Sequence, residues 1–163
     1  MSEQPYQDPR EFQDPLENYD APEYADALEK NLMEQRVSDL RTQPFISIGP
    51  ELTVREALAT LVGEDIACAT VVEDGRLVGL FSDRDALERV ALEYDDVCDK
   101  PVREVMTKEP LFVREDDSPA AALCVMAGAG YRFVPVLGAD DRVTGLLNPP
   151  RLGDFLQAHF DGA

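Results

Sequence analysis

Ser82 and Asp85 are the residues with the clearest chemical potential. They stand three apart in Gly79-Leu80-Phe81-Ser82-Asp83-Arg84-Asp85, where an apolar stretch gives way to a polar, helix-opening one. A carboxylate can accept two charge-assisted hydrogen bonds at once. The backbone N–H groups of Ser82 and Asp83 fall at a helix N-terminus, which favours an anion, and Arg84 adds a cation nearby. The same residues also have the form of a capping box, and an acid in the first turn complements the helix dipole. A cap alone explains both residues, so a binding reading and a capping reading stand side by side.

Other chemistries find little support. The cysteines, Cys68, Cys98 and Cys124, are widely spaced, and His159 is the only histidine. A structural zinc site needs about four such ligands. An odd number of cysteines argues against a disulfide framework, and Cys68 and Cys124 lie in apolar stretches and read as small core residues. No phosphate loop of the Gly-x-x-x-x-Gly-Lys type is present, and no catalytic cluster can be recognised. The sequence therefore reads as non-enzymatic, with no cofactor required.

Charge narrows the partners. Asp and Glu number 33 against 15 Lys and Arg, a net charge of −18. Such a surface repels phosphate backbones and disfavours nucleic acid. Lys30, Lys100 and Lys108 are the only lysines; acidity with little lysine fits either a salt-rich cytoplasm or a plain solubilising surface. No apolar run reaches the roughly 20 residues of a membrane span. The start, Met1-Ser2-Glu3-Gln4-Pro5, has no basic region or apolar run of a signal peptide. The expected location is the cytoplasm, with no membrane contact.

Residues 1–36 form an acidic arm with 10 acids and 3 bases. Its first 22 residues are proline-punctuated, with no core-forming period, and are expected to be disordered or loosely attached. Tyr24, Leu28 and Leu32 recur at helical spacing after Pro22, so an amphipathic helix is expected at about 23–36.

Next, Ile46–Ile48 reads as a short strand. Thr53 and Glu56 form a capping box opening a helix whose apolar face is Val54, Ala57, Leu58, Leu61 and Val62. Residues 67–72 and 77–81 read as strands joined by a turn at Gly75, which can take φ > 0. The helix opened by Ser82 has Ala86, Leu87, Val90, Ala91 and Tyr94 as its apolar positions, and Asp95–Pro101 reads as a linker.

The pattern then restarts. Val37, Thr42, Ile48, Leu58, Gly63 and Val71 have counterparts 65 residues later in Val102, Thr107, Val113, Leu123, Gly128 and Val136. After one inserted residue in a turn, Gly79 and Leu80 match Gly145 and Leu146 at an offset of 66. Two units follow, at 37–100 and 101–160, each reading β-α-β-β-α. A unit of this size is marginal alone, and two can bury their sheet faces together.

These motifs, the repeat length and Gly-apolar-apolar-Ser-x-x-Asp, resemble the cystathionine-β-synthase (CBS) domain. The pair is similar to a Bateman module over about Val37–Phe160. The resemblance implies an α/β (α+β) fold of two CBS repeats related by a pseudo-two-fold axis. It implies a regulatory protein that binds an adenosine-containing ligand (AMP, ADP, ATP or S-adenosylmethionine) in a cleft between repeats and signals to a partner protein. It also implies a homodimer of CBS pairs.

Residue by residue, the resemblance gives Asp85 the ribose hydroxyls and places Ser82 near the ribose or α-phosphate, with Asp83 and Arg84 beside it. It packs Leu80 on the base and lays adenine along Pro110, Leu111 and Phe112. Arg132, after Tyr131, takes the phosphate. Read as plain sequence, Leu80, Leu111 and Phe112 are core. The second copy, Gly145-Leu146-Leu147-Asn148-Pro149-Pro150-Arg151, departs from the motif. Arg151 replaces the ribose aspartate and has no acceptor capacity, two prolines remove N–H groups, and Ala67 stands where the other cleft has Arg132. That site is expected to be empty or to hold something other than a nucleotide. The competing function is a protein-interaction module with a vestigial cleft, in which the acidic arm and its helix mediate binding.

Overall fold

The computed structural model describes residues 22–160. The stretch 1–21, expected to be loosely attached, lies outside the described residues. The first helix, α1, is Ala27–Glu34, shorter than the expected 23–36 because Asp26 caps it and accepts from the Glu29 N–H at 2.8 Å.

The first sheet has the order β1–β2–β3–β4, from β1 (Ser47–Ile48), β2 (Cys68–Glu73), β3 (Arg76–Ser82) and β4 (Thr107–Lys108). β1 is parallel to β2, and β3 is antiparallel to both β2 and β4. The second sheet is β5 (Val113–Arg114), β6 (Val134–Leu137) and β7 (Val143–Leu147), with the same parallel and antiparallel pairings. α2 (Val54–Gly63) serves the first sheet; α5 (Pro119–Ala129) and α6 (Pro149–Phe160) serve the second. The fold is mixed α/β, and its two halves repeat one plan.

The halves exchange their opening segments. β4, from the start of the second repeat, completes the first sheet, and Val102, Val105 and Met106 sit in the first core beside Phe81. Reciprocally, Val37 and Leu40 sit in the second core beside Leu147, and the Leu146 N–H donates to the Thr42 carbonyl at 3.0 Å. Gly79 and Gly145 make this possible. A Cβ on Gly79 would lie 2.4 Å from the Met106 sulfur, and one on Gly145 would lie 2.4 Å from the Thr42 Cβ. Cys68, Leu80 and Leu146, flanked by Phe45 and Phe133, form a third cluster.

Several expectations are corrected. The helix after Ser82 is not one regular helix. A single turn, α3 (Asp83–Asp85), runs into a wider π-helical turn, Ala86–Val90, closed by Ala91 N–H to the Ala86 carbonyl. The chain then bends before α4 (Tyr94–Val97), so the expected linker is partly helical and buries Val97 and Cys98. Val62 and Leu87, placed on apolar helix faces, are 82% and 73% exposed. Cys124 is exposed rather than core, whereas Cys68 is buried. Among the described residues no helix is long and apolar enough to cross a membrane, and no group of acids, cysteines or histidines could hold a metal ion.

Candidate functional site

β3 delivers Ser82 to its end, where the extended backbone of a cap (φ −127°, ψ 168°) lets the chain turn into α3. The capping box is complete. The Ser82 N–H and hydroxyl both donate to one Asp85 oxygen, at 2.9 and 2.7 Å, and the Asp85 N–H donates back to the Ser82 hydroxyl. The capping reading is therefore correct as far as it goes.

Asp85 does more than close a cap. It is buried to 5% exposure, which is rare for a carboxylate unless it is paired. Its other oxygen accepts from the Thr107 hydroxyl at 2.8 Å and lies 3.1 Å from an Arg89 nitrogen. Arg89 in turn donates to the Val105 and Met106 carbonyls. The exchanged β4 segment is thus tied to Asp85 by a hydroxyl and a guanidinium. Four donors fill the roughly four lone-pair positions of a carboxylate.

Asp85 lines a cleft of about 320 Å³ between the repeats, together with Leu80, Ser82, Asp83, Arg84, Tyr131 and Arg132. The structure brings these seven predicted residues together. Pro110, Leu111 and Phe112 are not among the lining residues. Glu109 takes a left-handed φ of 46°, and the chain turns there between β4 and β5. Pro110 is buried, while Leu111 and Phe112 are 52% and 43% exposed, so neither is core. Sequence reasoning does not reach Arg89 and Thr107. Arg89 could have been read as the i+4 partner of Asp85; Thr107 had only its repeat match to Thr42.

Every arginine in the cleft has an acid. Arg84 pairs with Glu88 at 2.9 Å, and that carboxylate holds the Arg84 guanidinium above its ordinary pKa. Arg89 is held by the buried Asp85. Arg132 is the loosest: it lies 3.8 Å from Asp83 and is 63% exposed. It follows Gly130, whose φ of 67° ends α5 in the left-handed cap that favours glycine. Between strand and cleft, burial pushes the Cys68 thiol well above its ordinary pKa, so it is no nucleophile.

The matching cleft of the second repeat, about 290 Å³, is lined by Pro44, Ile46, Ala67, Asn148 and Arg151, and shares Arg132. Asn148 caps α6, accepting from the Arg151 N–H at 3.1 Å. The Arg151 guanidinium donates to the carbonyls of Thr42, Pro44 and Leu146. Burial pulls its pKa below the ordinary value, with Arg41 adding to the effect.

A family model described as the CBS domain matches residues 37–92 and 102–149. A 17.7 kDa protein of Acidianus ambivalens is 27% identical over 117 residues, which are 71% of this chain and 70% of that protein. The chain spans a fifth to about a third of several other relatives, such as 19% of CBSCBSPB1 of Arabidopsis thaliana. Among solved structures, the CBS-pair protein CBSX2 from Arabidopsis thaliana is 26% identical with a TM-score of 0.70, covering 78% of this chain and 98% of that one. CBSX2 has also been solved in complex with AMP. The CBS domain pair of MJ0100, solved with 5′-methylthioadenosine and S-adenosyl-L-methionine, shares the fold at a TM-score of 0.67 and 22% identity, covering 76% of this chain and 97% of that one.

Proposed function

The chain belongs to the CBS-domain family, and on that premise we propose that it is a regulatory CBS pair holding one adenosine-containing ligand in the Asp85 cleft. The observation that carries this is the way Asp85 is engaged. Two of its donors are side-chain hydroxyls, Ser82 and Thr107. The adjacent hydroxyls of a ribose can replace them one for one, so the buried carboxylate keeps a full set of donors. Leu80 and Tyr131 supply apolar surface for the base. Arg132, held weakly in an exposed ion pair, can exchange Asp83 for a phosphate at little cost.

The cation inventory narrows the ligand. Arg84 and Arg89 are committed to Glu88 and Asp85, which leaves Arg132 as the one releasable guanidinium lining the cleft. A cleft of this kind suits one phosphate better than three, so AMP should bind more tightly than ATP. Because Thr107 belongs to β4, a ribose that displaces its hydroxyl also loosens the tie between the cleft and the exchanged strand. That is a physical route by which occupancy shifts the placement of the two repeats and is read by a partner protein.

Calorimetric titration of the full chain with AMP, ATP and S-adenosylmethionine tests this reading. The expected result is one site per chain and a higher affinity for AMP than for ATP. No heat and no thermal shift with any of the three at millimolar concentration would sink it. That outcome would favour the interaction module with a vestigial cleft, for which the fully occupied acceptors of Asp85 are the supporting observation.

A further inference from the structure

The two repeats present equivalent helix faces to solvent, and the chain treats them differently. On the second repeat, α1 packs across α5 and α6. Leu32 inserts toward the second core, and Gln35 meets His159 at 3.0 Å. On the first repeat the matching face is open. It forms an apolar groove of about 690 Å³ between α2 and the π-helical turn, floored by Leu58, Leu61 and Val90. Val62 and Leu87 line it and are 82% and 73% exposed, and Leu92, just beyond, is 99% exposed.

The repeat register sharpens the contrast. Val62, Leu87 and Leu92 correspond to Ala127, Gly153 and Ala158. The open face therefore carries large apolar groups where the covered face carries small ones. Charge differs as well. The groove is lined by two carboxylates, Asp65 and Asp83, and by no cation. Their counterparts in the second repeat are Gly130 and Pro149, and α5 contains no charged residue. The helix covering that neutral face, α1, carries Asp26 at its cap with Glu29 and Glu34 inside, against Lys30 alone.

We propose that the open groove of the first repeat is a docking site for a basic amphipathic helix of another protein. The covered twin shows that one amphipathic helix fits such a face. The lining acids select which helix. Residues 1–21 carry six acids and one base, so the chain's own arm is repelled. A second copy meeting this face about a two-fold axis would oppose Asp65 and Asp83 to themselves, on a chain of net charge −18. A helix with lysines or arginines flanking a leucine stripe satisfies both the apolar floor and the acidic rim.

Fluorescence anisotropy with two designed peptides of about 18 residues tests this. Both have leucines at i, i+3, i+4 and i+7 spacing; one is flanked by lysines and the other by glutamates. The lysine peptide should bind the full chain at least roughly tenfold more tightly, and raising the salt from about 0.1 to 1 M should narrow the gap. Leu87→Asp should abolish binding. It adds a carboxylate, so a merely electrostatic association would strengthen instead. Asp65→Asn should weaken the lysine peptide about threefold, and Glu104→Gln, an equal change of net charge outside the groove, should not. Equal affinity for both peptides overturns the proposal, as does unchanged binding by Leu87→Asp or equal weakening by the two charge variants. A dimer in sedimentation that Leu92→Glu dissociates also overturns it and makes a second copy the occupant.

Discussion

The Asp85 and Arg151 clefts occupy matching places in one repeated scaffold, yet their chemistry is reversed. In the first, a buried acceptor is satisfied by donors that include two exchangeable hydroxyls. In the second, a donor is satisfied by three backbone carbonyls that cannot leave. A carboxylate at the end of the motif builds a site whose partners can be swapped for those of a ligand. A guanidinium at the same place builds a clamp that fastens the exchanged opening segment of the first repeat to the second sheet. One position thus decides whether a cleft can respond.

The largest effect follows from removing the acceptor. With AMP at about a hundred times its dissociation constant, the wild type gains about 2.7 kcal/mol. Asp85→Ala should lose all of that gain in thermal denaturation. The variant also lowers the ligand-free midpoint, because Arg89 is left without its carboxylate, so the readout is the ligand-induced rise over each protein's own baseline. A full rise in Asp85→Ala would erase the distinction between the clefts.

Arg151→Ala tests the other side. It strips three carbonyls of a charged donor and should cost about 2 kcal/mol of stability, while leaving the AMP-induced rise intact. Arg151→Asp restores a carboxylate, but Pro149 and Pro150 still lack the N–H groups an anion would use. Calorimetry should therefore still give one AMP per chain. Two sites in Arg151→Asp would mean that the terminal residue alone sets competence and the prolines do not matter.

The contrast between Asp85 and Arg151 is readable in the sequence because the two motifs align on Gly79 and Gly145. Those glycines are needed where the opening segment of the other repeat crosses within 2.4 Å of a would-be Cβ. The crossing itself is not readable. β4 is two residues long, too short for an alternating pattern, and periodicity says nothing of which repeat a strand joins. Thr107, the second hydroxyl on Asp85, is hidden for that reason. Val62 and Leu87 mislead in the opposite way. Their helical spacing is real, but spacing identifies an apolar face, not whether the chain itself covers it. The π-helical turn at Ala86–Val90 then shifts the face further from its expected course.

Arg132 lines both clefts, which makes it the sharpest probe of where phosphate goes. Arg132→Ala should weaken AMP roughly tenfold, within the range for a charge-assisted contact, and leave adenosine nearly unchanged. Titration of both ligands against both proteins gives the comparison. Equal loss for AMP and adenosine would show that Arg132 shapes the cleft without meeting phosphate.

The smallest effect separates the helices that open each repeat. The Thr53 hydroxyl and N–H both engage Glu56, at 2.6 and 3.0 Å, and hold its carboxyl below its ordinary pKa. Ser118, at the matching place, makes no side-chain cap, since Ala121 stands where Glu56 does and Pro119 opens α5. Thr53→Ala should cost about 1 kcal/mol in denaturant unfolding, and Ser118→Ala clearly less. A depressed carboxyl pKa contributes stability that is complete above its unfolded value and is lost as pH falls through the lower folded one. The gap between the two variants should therefore close in acid. Equal costs at neutral pH would show that the Thr53 box, although formed, adds nothing that Pro119 does not already supply to α5.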